Sequence, residues 1–165
     1  MNDRPYRHPR RVRRILEHLV EVACPPEASA RGLASAIVDR VEASMQALPG
    51  HLRAGLLSGL YAYESGALLD PRHLGKPASA LRGARATRYF ERWWHSPLAP
   101  QRELAKGVKG LLCLACYETP EMKRAIGYTP EAWLEQVTSA RGRHAEAIER
   151  HARSLLRPEP LEARA

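Results

Sequence analysis

Residues 41–69 read VEASMQALPGHLRAGLLSGLYAYESGALL, and their spacing decides the fold class. Apolar side chains recur every three or four positions: Leu33, Ile37, Val41, Met45 and Leu48, then Leu52, Leu56, Leu60, Tyr63 and Ala67. Each set is one face of an α-helix, and Pro49-Gly50 stands between them as a stop. A half-buried strand would alternate apolar and polar at every second residue, and no four-residue stretch of the chain does so.

The same period extends in both directions. Towards the N-terminus, Val12, Ile15, Leu16, Leu19, Val20 and Ala23 predict a first helix, ended by Pro25-Pro26. After the one loop of any length, DPRHLGKPAS at 70–79, a fourth helix is predicted from about Ser79 to FERWWHSP. A fifth begins near Pro100 and carries Leu104, Val108, Leu111, Leu112 and Ala115 on one face. Then comes CYETPEMKRAIGYTPEAW, residues 116–133, with two Thr-Pro pairs. Thr119 can cap a helix, with Pro120 at its first position and Glu121 in the first turn, where the dipole favours an acid. Gly127 can close that helix in the left-handed conformation, and Thr129, Pro130 and Glu131 repeat the start signal. The expectation is an all-α, single-domain bundle of about six helices. Residues 1–11 form a basic arm, 12–157 the helical domain and 158–165 a flexible tail.

The 165 residues are 44% apolar and 27% charged, which suits a globular chain with a real core. No apolar run approaches the roughly 20 residues of a membrane span. The first 27 residues hold arginines without an apolar h-region or a small-residue cleavage site, so no secretory signal is expected. Three cysteines are too few for a disulfide framework, and the expected setting is cytoplasmic and reducing. The net charge of +8 invites an acidic partner or a polyanion, or reflects only an arginine-rich composition.

Several motifs carry two readings each. Gly55 and Gly59 frame GLLSG, which lets another helix come close. Cys113 and Cys116 have redox spacing, but they sit late in a predicted helix inside LLCLAC, where buried apolar thiols are expected; Cys24 stands alone. His144 and His151 fall on one stripe with Trp133, Val137, Ile148 and Leu155, without the further ligands a metal needs. Tyr89, Phe90, Trp93 and Trp94 lie among Arg82, Arg85, Arg88 and Arg92. Such interleaving can clamp single-stranded nucleic acid, or the rings can fill the core. Arg10, Arg11, Arg13 and Arg14, preceded by Arg4 and Arg7, oppose the dipole of the first helix, which points to a role other than helix stability. No Gly-rich phosphate loop, nucleophile elbow or clustered acid–base pair is visible.

Taken in order, ACPP after the first helix, the LP..LR.GL..GL pattern from Leu48, the F..W..S pattern from Phe90, the YE.P pattern from Tyr117 and the IGY corner at 126–128 resemble the gluconate 2-dehydrogenase subunit 3 family. The resemblance covers roughly residues 12–135. It implies a small, helical, non-catalytic subunit that accompanies a flavin-dependent oxidoreductase of the glucose–methanol–choline type. FAD would then be held by the large partner subunit, with no cofactor or metal in this chain. The chain lacks the twin-arginine signal of the family's secreted members, and no cysteine is assigned to a link with the partner. The expected interface residues are Arg10, Arg13 and Arg14 on the basic face, Trp94 at the aromatic edge and Tyr128 at the corner. The alternative is a helical nucleic-acid-binding protein that uses the arginine arm and the aromatic segment.

Overall fold

The computed structural model describes residues 6–155; Arg4 of the basic arm and the tail from 158 lie outside them. The protein is all-α. Among the described residues the helices are α1 (Arg10–Ala23), α2 (Pro26–Ala30), α3 (Ala34–Gln46), α4 (Gly50–Leu68), α5 (Gly83–Trp94), α6 (Ala99–Tyr117), α7 (Pro120–Ala125), α8 (Pro130–Arg143) and α9 (Ala145–Leu155). Short 3-10 turns at Pro71–His73 and Ala78–Ala80 structure the loop between α4 and α5.

Two departures from expectation raise the helix count above about six. Pro25-Pro26 ends α1, but Pro26 also serves as the first residue of a one-turn helix, where its missing N–H costs nothing. The long C-terminal helix breaks at His144, so His144 and His151 do not share a single helix stripe with Trp133 and Val137. Leu155, the last member of that stripe, has no described side chain. The fourth helix also starts later than expected: Ser79 belongs to a 3-10 turn, and α5 opens at Gly83.

The chain divides into two compact units, Met1–Lys123 and Arg124–Ala165. The core belongs to the first. Ile15, Leu16 and Leu19 of α1 are buried with Ile37, Val41 and Met45 of α3, Leu60 and Tyr63 of α4, and Val108 and Leu112 of α6. From α5 come Tyr89, Phe90 and Trp93, all buried, so the aromatic run fills the core rather than standing free. Tyr63, Tyr89 and Trp93 form one ring cluster with centroids 4.9–6.4 Å apart.

The 116–133 stretch folds as a helix, a corner and a second helix. Thr119 is buried; its hydroxyl donates to the Cys116 carbonyl at 2.7 Å and accepts the Met122 N–H at 3.4 Å, which caps α7. Gly127 has φ of +66°, the left-handed cap that the sequence asks for. Thr129 occupies the cap position of α8 without a side-chain hydrogen bond, so Pro130 supplies most of that start signal. In the second unit no described residue is buried, and Ile126, Tyr128, Trp133, Leu134 and Ile148 are exposed.

The glycines of α4 separate by environment. A Cβ on Gly59 would lie 2.5 Å from Cδ1 of Leu104, so this glycine lets α6 approach. Gly55 has nothing within 4 Å and plays no such part. At Gly66 a Cβ would lie 2.8 Å from the Tyr89 hydroxyl, which donates to the Tyr63 carbonyl at 2.7 Å. The ring-packed tyrosine has no free direction in which to yield. Gly66→Ala is therefore expected to cost about 1–3 kcal/mol through overpacking and a displaced buried hydrogen bond. Gly55→Ala is expected to gain about 0.5–1 kcal/mol of helix propensity. Urea denaturation of both variants checks the pair; equal effects would refute the packing described.

Candidate functional site

Three polar clusters stand out in the first unit. The first is a knot around Glu64, whose side chain is fully buried in α4. The N–H of Ser79 donates to its Oε2 at 2.8 Å, and the Ser79 hydroxyl donates to Oε1 at 2.7 Å. A guanidinium nitrogen of Arg14 lies 3.9 Å from Oε1. Arg82 donates to the carbonyls of Ser79 and Leu81 at 2.8 and 2.9 Å and reaches within 3.4 Å of His18 Nδ1. His18 is itself buried, and burial, assisted by Arg82, pushes its pKa below the ordinary histidine value. A cavity of about 400 Å³ opens beside this knot, lined by residues that include Arg14, Glu17, His18 and Arg82. The Ser79 hydroxyl faces the carboxylate and not the imidazole, so it ties the 78–80 turn to α4.

The second cluster is a groove of about 550 Å³ between the turn Pro71–His73 and the outer face of α5. Arg85, Arg88 and Arg92 line it from α5 at three- and four-residue steps, with His95 just past the helix end; Arg72 and His73 line it from the turn, and Glu91 is the one carboxylate among the described lining residues. Asp70 fixes the two walls: it accepts the Arg72 N–H at 2.9 Å and pairs with the Arg92 guanidinium. Those two contacts, the backbone one first, hold the Asp70 carboxyl below the usual carboxylate range. Arg92 also bonds His73 Nε2 at 2.8 Å and lies over the Tyr89 ring at 5.3 Å. His73 is buried edge-on against that ring, 5.2 Å between centroids, and burial pushes the Tyr89 phenol up to about 12.

The third cluster joins all three cysteines. Cys24, at the C-terminal end of α1, has the thiols of Cys113 and Cys116 of α6 as electrostatic neighbours. Cys113 also donates to the Ala23 carbonyl at 3.6 Å, and Cys116 is fully buried. All three are free thiols. Cys24 does not stand alone, as its place in the sequence had indicated; the packing of α1 on α6 closes a gap of about 90 residues that no local pattern encodes. Among the described residues no group of three His, Cys, Asp or Glu side chains is placed to hold a metal ion.

The expected interface residues have different surroundings, and Tyr128 belongs to the second unit while the others belong to the first. Arg13 bonds Asp39 at 2.7 Å, Ser35 Oγ at 2.8 Å and Glu17 at 3.2 Å, so its guanidinium ties α1 to α3. Arg10 and Arg14 are exposed, the latter leaning over Glu64. Trp94 is half-buried, with the Lys109 ammonium 5.0 Å from its ring centre. Tyr128 is exposed in the second unit. Arg72, His73, Glu64 and Ser79 are absent from that expectation. The signal for Glu64 was present: a glutamate four residues after Leu60 and three before Ala67, on the apolar face. No helix among the described residues is long and apolar enough to cross a membrane. Compared with known proteins, the chain matches no family model, no curated protein and no solved structure.

The thiol cluster has a consequence in solution. Burial first, and then the neighbouring thiols, push the Cys24 pKa well above its ordinary value. A raised thiol pKa in the folded state stabilises the fold fully below the unfolded value, near 8.5, and that contribution declines as pH rises beyond it. At pH 8 the folded protein should react with a thiol-disulfide reagent at least about tenfold more slowly than the protein unfolded in guanidinium. Reaction as fast as in the unfolded chain would contradict the cluster.

Proposed function

We propose that the chain is a non-catalytic accessory subunit that binds and stabilises a flavin-dependent oxidoreductase of the alcohol- or sugar-oxidising type, with FAD held by the large partner. The observation that carries the binding role is the second unit. It is helical, no described residue in it is buried, and Trp133, Leu134 and Ile148 are more than half exposed. Helices in proteins gain most of their stability from tertiary packing, so exposed apolar side chains such as Trp133, Leu134 and Ile148 favour a cover supplied by a partner. The identity of the partner rests on the sequence resemblance alone. A hetero-oligomeric complex follows from the same reading.

The nucleic-acid alternative draws on aromatic rings interleaved with arginines. Stacking needs an accessible ring face. Tyr89, Phe90 and Trp93 are buried, which leaves the half-buried Trp94 of that segment, with the Lys109 ammonium over its ring. The arginines remain accessible, so electrostatic attraction to a polyanion is the part of that reading that survives.

The test is capture of the tagged chain from its native host. A yellow flavoprotein should accompany it. Trp133→Glu with Leu134→Glu should reduce that recovery at least tenfold and leave the melting of the first unit unchanged, since both residues are exposed. Recovery of nucleic acid that moderate salt removes, with no flavoprotein, would contradict the proposal.

A further inference from the structure

We infer that the groove between the turn Pro71–His73 and α5 is a docking site for a carboxylate-rich segment of the partner protein. This names a second contact for the complex proposed above and rests on that reading for the partner's identity, though not for the groove's chemistry.

The first argument is unanswered charge. Arg92 is neutralised by Asp70, but among the described residues Arg72 and Arg85 have no side-chain partner, and Arg88 bonds only the Ala84 carbonyl of its own helix at 3.2 Å. Arg85, Arg88 and Arg92 stand at three- and four-residue spacing, where like charges destabilise a helix by about 0.2–0.5 kcal/mol per pair. Arg85 also sits in the first turn of α5, where the macrodipole opposes a cation. An arrangement that costs the free protein stability and faces a concave wall is relieved by an anion.

The second argument is preorganisation. The walls are held by the Asp70 bridge, by Arg92 on His73, and by the buried His73–Tyr89 ring contact. The guanidinium groups are therefore presented from a fixed frame, so less ordering entropy opposes binding. Guanidinium forks suit bidentate pairing with carboxylates.

The third argument chooses the occupant. Arg85 to Arg92 covers about 10 Å of helix axis, with steps of roughly 5–6 Å between successive arginines. Acidic side chains three or four apart on a helix have the same spacing, and alternate residues of an extended segment come close to it at about 6.6 Å. A single phosphate group would engage only one or two of these positions. A nucleic-acid strand would want exposed rings, and the rings beneath the groove are buried.

The experiment measures fluorescence anisotropy of a labelled octapeptide of alternating glutamate and serine, with the full chain, at low and moderate ionic strength. The wild type should bind with an affinity that falls as salt rises. Arg72→Gln with Arg85→Gln and Arg88→Gln should bind at least tenfold more weakly with a circular-dichroism melt no lower than that of the wild type, since all three side chains are exposed and their mutual repulsion is removed. No salt-sensitive binding, equal binding by the triple variant, or binding of pyrophosphate or a thymidine oligonucleotide tenfold tighter than the peptide overturns the proposal. The same variant then enters the capture experiment. Flavoprotein recovered equally with wild type and variant removes the groove and leaves the partner reading intact. No flavoprotein with the wild type, while the peptide still binds through these arginines, removes the partner reading and leaves the groove.

Discussion

A single buried carboxylate organises the first unit. Glu64 has no exposed surface, and both of its oxygens are taken by Ser79. A carboxylate removed from water without partners is strongly disfavoured, so the Ser79 turn must close whenever α4 packs. That closure seats the turn Ala78–Ala80 against α4 and α1 and fixes where Arg82, the residue before α5, leaves the loop. The direction of α5 follows, and with it the ring cluster of Tyr63, Tyr89 and Trp93 beneath the helix and the basic groove above it. Arg14 and His18 on α1 complete the surroundings of the carboxylate, so the one polar knot touches α1, α4 and the intervening loop.

The two faces of α5 thus divide the work. Tyr89, Phe90 and Trp93 point into the core and anchor the helix. The arginines on the opposite face are left outward and are matched by Arg72 from the loop. A segment that mixes aromatic and basic residues in sequence separates them in space because 3.6 residues per turn sorts them onto opposite sides. The second unit differs in kind. It has the caps and corner of a well-specified helical segment, with Gly127 left-handed and Pro130 starting α8, yet no described residue in it is buried.

The longer helices of the first unit were legible because their apolar residues recur at helical spacing and they are punctuated: Pro25-Pro26, Pro49-Gly50 and Thr119-Pro120 all fall at observed boundaries. The short helix α2 and the two 3-10 turns were not, since three to five residues carry no period. The break at His144 has only Gly142 as a local hint, against an apolar spacing that runs straight through it. Of the site, Arg85, Arg88 and Arg92 were visible as a basic stripe, but their pairing with Arg72 depends on how the 70–82 loop folds back. The convergence of Cys24 with Cys113 and Cys116 depends on the packing of α1 on α6, which is long-range and leaves no mark in local spacing.

The central claim, that the Glu64–Ser79 contact sets the frame, is open to a double-mutant cycle in urea. Glu64→Ala leaves the Ser79 N–H without its buried acceptor and opens a cavity, and should cost about 2–4 kcal/mol. Ser79→Ala removes the hydroxyl but keeps the N–H contact, and should cost less. Because both act through one contact, the double variant should be less destabilised than the sum by at least about 0.5 kcal/mol. Strict additivity, or a Glu64→Ala variant within about 0.5 kcal/mol of wild type, would show that the bundle holds its frame without this contact.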